Sequence, residues 1–215
     1  MAATSTAVPQ TSRALYTVGH SNLERAQFLK LLKNAGIELL VDVRSRPQSG
    51  RFPHFNQAVL EKQLESESIA YLFLGEELGG RPDDPDAYFG DGRVNYRARR
   101  KSYAFGAGTE RVLRDHQSCT LALLCAEEDP LECHRFLMIC PELTASGVKP
   151  LHIRKGSQIE TQEAAETRLL EANGFRDVAA NTLFPDARAD ALEKAYDLQS
   201  EKFAFRVDPM AVDRW

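Results

Sequence analysis

The sequence predicts an α/β fold: a mostly parallel sheet of about five strands, covered by helices on both faces, with a helical C-terminal extension. Three observations predict it. Short apolar runs alternate with segments of helical periodicity from residue 15 to 155. The connections between those runs are too long for hairpins, which favours parallel pairing. Runs such as ELLVDV (38–43) are continuously apolar, as strands buried on both faces are.

The elements follow in order. LYTV (15–18) reads as the first strand. Ser21 and Glu24 fit a capping box ahead of a helix that carries Phe28, Leu31, Leu32 and Ala35 on one face and stops at Gly36. ELLVDV is the second strand. RSRPQSGRFPHF is rich in Pro and Gly and is expected to hold no regular structure. Asn56 is placed to cap a helix with Val59, Leu60 and Leu64 on its face, and AYLFL (70–74) is the third strand. The segment from Gly75 to Asn95 reads as a long loop, of the kind that often binds ligands. A helical region covers roughly Tyr96 to Asp115, with a break at FGAG (105–108). TLALLC (120–125) is the fourth strand. Asp129, Pro130 and Glu132 then mark a helix start, with Asp129 as cap and Pro130 in the first helical position. That helix carries Phe136, Leu137, Ile139, Cys140 and Leu143, and fades near Gly147. VKPLHI (148–153) is the fifth strand.

Three segments are expected: a disordered leader over 1–14, the α/β domain over 15–155, and the helical extension over 156–215. In the extension, QEAAETRLLEANGF is a helix ending at Gly174, and ARADALEKAYDLQSEKF is a second, exposed one. The extension is a candidate surface for a protein partner or self-association.

At 43% hydrophobic and 27% charged, the chain has the composition of an ordinary globular protein, and it has no apolar run of membrane-spanning length. The start, MAATSTAVPQTSRA, lacks a basic segment followed by an apolar one, so the expected address is cytoplasmic. The net charge of −4 excludes a general polycation. Arginine nevertheless clusters locally: Arg44, Arg46 and Arg51 with His54, then Arg93, Arg97, Arg99 and Arg100 with Lys101. Such local basic faces suit a phosphate-bearing ligand or are simply solvated. Seven residues separate Cys125 from Cys133, and six separate Cys133 from Cys140; without C-x-x-C spacing, neither a metal nor another cofactor is expected.

Ligands of open parallel sheets bind beyond the carboxyl ends of the strands. His20 and Ser21 follow strand one. Asp42, Arg44 and Arg46 end strand two. Gly79 and Gly80 come soon after strand three. Cys125 and Glu127 end strand four, ahead of Cys133, His134 and Arg135. Phe55 and other loop aromatics interleave with arginines, as stacking platforms for bases do. Gly79-Gly80 suits close backbone approach to a ligand. His134 and Arg135 near a helix N-terminus call for an anion, either a phosphate or Asp42, Glu127 or Glu128. Cys133, about one turn into that helix, is either a thiolate nucleophile or a small buried apolar residue, and the same choice holds for Cys125. Arginine does not follow either cysteine at the spacing of a Cys-x5-Arg phosphatase loop.

TVGHS (17–21), LLVDVRSRP (39–47), FN (55–56), LGG (78–80) and CAEEDPLECHR (125–135) together resemble the bacterial family catalogued as domain of unknown function 488. The resemblance covers about residues 15–153. Leu131 stands where the family often has an aromatic residue. The resemblance implies a Rossmann-like three-layer α/β domain in which the GHS, DVR and CHR motifs form one site. It brings no established reaction; members are sometimes labelled DNA-repair-like.

The leading expectation is an enzyme acting on a nucleotide or nucleic acid by hydrolysis or group transfer, with N-glycosidic cleavage as its first concrete version. Ser21, Arg44, Arg46, Phe55, Asn56, Gly79, Gly80, Cys125 and Arg135 would hold the substrate. Glu127, His20 or His134 would move protons, and Asp42 would orient a histidine or arginine. The alternatives are a non-catalytic nucleotide or nucleic-acid binding module, and a thiol enzyme built on Cys133 or Cys125.

Overall fold

The computed structural model describes residues 13–180 and 185–207. The leader expected over 1–14 therefore lies outside the described residues up to position 12, as does the end of the tail from 208.

The elements are β1 (Leu15–Gly19), α1 (Arg25–Asn34), β2 (Leu39–Asp42), α2 (Gln57–Glu65), β3 (Ala70–Phe73), α3 (Gly75–Leu78), α4 (Tyr96–Arg100), α5 (Tyr103–His116), β4 (Leu121–Cys125), α6 (Cys140–Ala145), β5 (Leu151–Ile153), β6 (Ile159–Thr161), α7 (Gln162–Ala172), α8 (Arg176–Ala180) and α9 (Pro185–Phe203). They build a six-stranded sheet in the order β3-β2-β4-β1-β5-β6. The first five strands are parallel, and β6 pairs antiparallel with β5 at the edge. The fold is the expected α/β sandwich with one more strand than the sequence indicated.

Alternation along β4 divides the core. Leu121, Leu123 and Cys125 face a layer built from α5, α6, α7 and α9, whereas Ala122 and Leu124 face α1 and α2. All five β4 side chains are buried, and burial of each large aliphatic one contributes about 2 kcal/mol. Both β1 and β2 flank β4, so the carboxyl ends of all three strands lie side by side.

Several local expectations are corrected. The cap of α1 is Glu24, whose N–H donates to Gln27 Oε1 (3.3 Å); Ser21 instead sits in a turn at φ 45°. Asn56 precedes α2, but its Oδ1 accepts from Ser49 N–H (2.6 Å) and ties down the preceding loop. That loop contains a 3₁₀ turn at Pro53–Phe55, and the long loop after β3 contains α3 and a second 3₁₀ turn. The helix break falls at Lys101–Ser102, where Ser102 caps α5, and not at FGAG. Asp129 caps as expected but starts only a 3₁₀ turn, Pro130–Glu132. Cys133 follows in extended backbone (φ −134°, ψ 141°), so it is not inside a helix. A π turn, Arg135–Ile139, then leads into α6. Pro141 has no N–H to offer the carbonyl of Leu137, which accounts for the wider turn ahead of it.

The chain after residue 155 joins the same structure. Strand β6 extends the sheet, and Ala165, Leu169 and Leu170 of α7 enter the core. The helix read as exposed, α9, buries Ala191, Ala195, Tyr196 and Gln199. Arg97 of the second basic cluster pairs with Glu193 and Asp197 of α9, and Arg99 donates to the carbonyls of Glu76 and Glu77 at the end of α3. Arg97 and Arg99 of that cluster therefore secure packing. Among the described residues, no helix is long and apolar enough to cross a membrane.

Candidate functional site

The carboxyl ends of β1, β2 and β4 open into a cavity of about 840 Å³, a size suited to a small-molecule ligand. Two main-chain bonds hold its floor: His20 N–H to Cys125 O (3.0 Å) and Ser21 N–H to Ala126 O (2.7 Å). The approach is close enough to demand Gly19, since a Cβ there would lie 1.7 Å from the Glu127 carbonyl oxygen.

Arg44 and Asp42 form a buried ion pair. Arg44 Nε lies 2.9 Å from Asp42 Oδ1, its NH2 lies 2.5 Å from Oδ2, and its backbone N–H also donates to Oδ1 (3.1 Å). Tyr71 OH adds a bond to Oδ2 (2.9 Å), and Arg44 NH2 also reaches the Phe55 carbonyl (2.9 Å). Asp42 therefore orients an arginine, one of the two roles foreseen for it. Arg44 NH1 donates to His20 Nε2 (3.3 Å), and His20 Nδ1–H donates to Ser21 O (2.9 Å). Burial, and then the Arg44 charge, push His20 down to about 4, so it is neutral at pH 7. With both ring nitrogens engaged by protein, His20 positions Arg44 in this structure and has no nitrogen free for acid–base work. Phe55 stacks under the His20 ring (4.2 Å) and packs on Phe28; it is a buried support and not a platform for a base.

Arg135 is fully buried. Its NH1 and NH2 donate to the carbonyls of Glu127 (2.6 Å) and Glu128 (2.8 Å), and its Nε to Thr17 Oγ1 (3.3 Å). The expectation of a phosphate ligand, or of an ion pair with Asp42, is corrected: Arg135 clamps the turn after β4 through main-chain carbonyls. Beyond it, His152 bonds Thr17 Oγ1 (2.9 Å) and Gln162 Oε1 (3.1 Å).

The thiols meet beside that clamp. Cys125 S–H donates to Glu127 Oε2 (3.0 Å). His134 Nδ1 faces both sulfurs, 3.5 Å from Cys125 Sγ and 3.8 Å from Cys133 Sγ, while its Nε2–H donates to Val43 O (2.9 Å). The backbone N–H of Arg135 donates to Cys133 Sγ (3.4 Å). Burial opposes ionisation of both thiols, but Cys125, Arg135 and His134 together bring Cys133 well below the ordinary thiol range, whereas Cys125 is raised by burial and by Cys133. Burial raises Glu127 too. His134 is raised, with Cys133 overcoming the opposing effect of burial.

Of the residues expected at the site, His20, Ser21, Arg44, Arg46, Gly80, Cys125, Glu127, Cys133 and His134 line the cavity. Asp42, Phe55, Asn56, Gly79 and Arg135 lie behind that lining. Gly79 packs on Ser45, where a Cβ would lie 2.3 Å from Oγ, and Gly80 packs on the His134 ring, where a Cβ would lie 2.8 Å from Cγ. At the rim, Arg51 lies over Phe52 (5.4 Å) and Arg81 over Phe205 (4.5 Å). Arg81 and Phe205 were not foreseen, although Arg81 directly follows the Gly79-Gly80 pair. Among the described residues, the guanidinium groups of Arg46, Arg51 and Arg81 have no ion-pair partner.

A family model described as "Domain of unknown function DUF488" matches residues 24–139, more than half of the chain. The chain belongs to the DUF488 family. The DUF488 match includes most of the cavity-lining residues, from Arg44 in the loop after β2 to His134. No curated protein matches the chain. Two solved structures of a "Putative phosphatase (DUF442)" from Shewanella putrefaciens CN-32 are similar at 13% and 12% identity. The first covers 94% of this chain and 90% of its own at a TM-score of 0.37, the second 91% and 97% at 0.38. At that level of superposition the likeness assigns no activity.

Proposed function

We propose that this DUF488 protein is an enzyme that binds a phosphate-bearing substrate, a nucleotide or a nucleic-acid end, and cleaves it by hydrolysis or group transfer. One observation carries the reading: three arginines without ion-pair partners ring a ligand-sized cavity that has Glu127 and His134 on its floor. Unpaired guanidinium groups at the mouth of a cavity attract and clamp phosphate. Phe52 and Phe205, each beside one of those arginines, offer faces for a base. Glu127 is the acid–base group, and Arg44, held by Asp42 and His20, is a fixed charge lining the same cavity. N-glycosidic cleavage, which needs a carboxylate and an anion clamp, is the first version to test. The four unbridged cysteines suit a reducing, cytoplasmic setting.

The test is turnover of a panel of nucleotides and short oligonucleotides, scored for free base and for phosphate, with Glu127→Gln as control. The expected result is product from the wild type, none from Glu127→Gln, and equal binding by both. Binding without turnover in either protein would support a non-catalytic module in its place.

A further inference from the structure

We propose that Cys125, Cys133 and His134 form a site for one thiophilic divalent cation, zinc above all, opening onto the cavity. The site deepens the hydrolytic reading above and rests on it for its role, though not for its existence. The ligands come from two pieces of chain, the end of β4 and the extended step that follows the 3₁₀ turn Pro130–Glu132. Their donor atoms lie within 4.8 Å of one another, with S···N separations of 3.5 and 3.8 Å. A tetrahedral zinc, with bonds of about 2.3 Å to sulfur and about 2.0 Å to nitrogen, holds such atoms about 3.6 Å apart. The two S···N sides already have the dimensions of a ligand set.

The orientation of His134 adds a second reason. Its Nε2–H is fixed by the Val43 carbonyl, which leaves the Nδ1 lone pair facing the two sulfurs. Metal-bound imidazoles are held in this way. Two thiols and an imidazole are donors for zinc, not for magnesium or calcium. Because all three residues line the cavity, the fourth position faces the substrate space, as in catalytic zinc sites and not in structural ones. Gly80 keeps the space beside the ring clear. The sequence concealed the set because its two cysteines lie outside any C-x-x-C spacing.

Glu127 stands next to the proposed ion, with Oε2 3.0 Å from Cys125 Sγ. With a metal bound, the Cys125 thiol would have released its proton to solvent, and Glu127, without that donor, would be free to accept a hydrogen from a metal-bound water. The water proton would pass to Glu127 as the water oxygen bonds to the electrophilic atom of the substrate. The bond to the leaving group then breaks, and that group takes the proton from Glu127. The net change is hydrolysis, with water as the sole co-reactant.

The experiment strips the full chain with a chelator and titrates it with Zn²⁺ and with Co²⁺. One ion per chain is expected, with thiolate-to-cobalt charge-transfer absorption. Cys125→Ser, Cys133→Ser and His134→Gln should each weaken Co²⁺ by at least about tenfold, whereas Cys119→Ser should leave it unchanged. Absence of the charge-transfer band in the wild type would overturn the site, and so would a band unaffected by both cysteine substitutions. The wild-type spectrum decides even where a variant misfolds. The titration uses no substrate. Cobalt binding in a protein that turns over no nucleotide would sink the substrate reading and leave the metal site standing. Nucleotide turnover without a cobalt band would do the reverse.

Discussion

Asp42→Asn tests how the candidate site is held. The substitution keeps the shape of the side chain and removes its charge. The amide retains one acceptor oxygen, which can still serve the backbone N–H and Nε of Arg44. It loses the oxygen that accepts from Arg44 NH2 and Tyr71 OH, and in its place turns an NH2 toward two donors. Two bonds to a charged acceptor, at about 1.5–2 kcal/mol each, come to about 3–4 kcal/mol. The same range follows from breaking a buried ion pair at one partner, about 3–5 kcal/mol. Because Asp42 is 0% exposed and Arg44 6%, little solvent is available to compensate. Urea unfolding followed by circular dichroism reads the change directly. Arg44→Gln should cost a similar amount, and the double variant less than the two losses combined, with a coupling of about 2 kcal/mol. A loss below about 1 kcal/mol for Asp42→Asn, or strict additivity in the cycle, would refute the idea that this pair is a charge-dependent anchor.

Two further outcomes are expected. His152 is buried and shifted down to about 4, first by burial and next by Arg135, so the unfolded chain binds its proton more readily. Its contribution is complete above about pH 6.5 and is lost as pH falls toward 4, by about 3 kcal/mol in all; urea midpoints across that window should drop, and should drop less in His152→Gln. Gly80→Ala would put a methyl against the His134 ring. It should lower stability by about 1–3 kcal/mol in urea unfolding, because the anchored ring must shift to make room, and lower kcat/KM by about 100-fold as the cavity floor is displaced.

Much of the fold is legible in the sequence because the sheet is buried on both faces. The apolar runs at β2 and β4, LLV and LALLC, are unbroken, and Gly36, Gly147 and Gly174 close their helices at positive φ. Strand β6 is not legible, since IET is three residues long and mostly exposed at a sheet edge, with no pattern to distinguish it from a loop. The burial of α9 is hidden for a different reason: its buried face is made of alanines, a tyrosine and a glutamine. At the site, the convergence of GHS, DVR and CHR follows from parallel strands whose ends lie together. Which arginine does what does not follow. Arg44 meets Asp42 through a turn two residues long, and Arg135 reaches back to main-chain carbonyls that carry no sequence signal. The extended backbone at Cys133, which points its thiol toward Cys125 and His134, depends on the 3₁₀ turn stopping after one round. The cap signal at Asp129 and Pro130 does not encode that stop.

The proposed function requires first of all that the rim arginines bind phosphate. Binding of nucleotides and single-stranded oligonucleotides to wild type and to Arg46→Ala/Arg81→Ala, at a series of salt concentrations, tests it most directly. The expected result is salt-sensitive binding by the wild type, and a log–log salt slope smaller by about 1–2 in the double variant, one counterion release lost for each arginine removed. Salt-independent binding, or equal slopes in the two proteins, would contradict it.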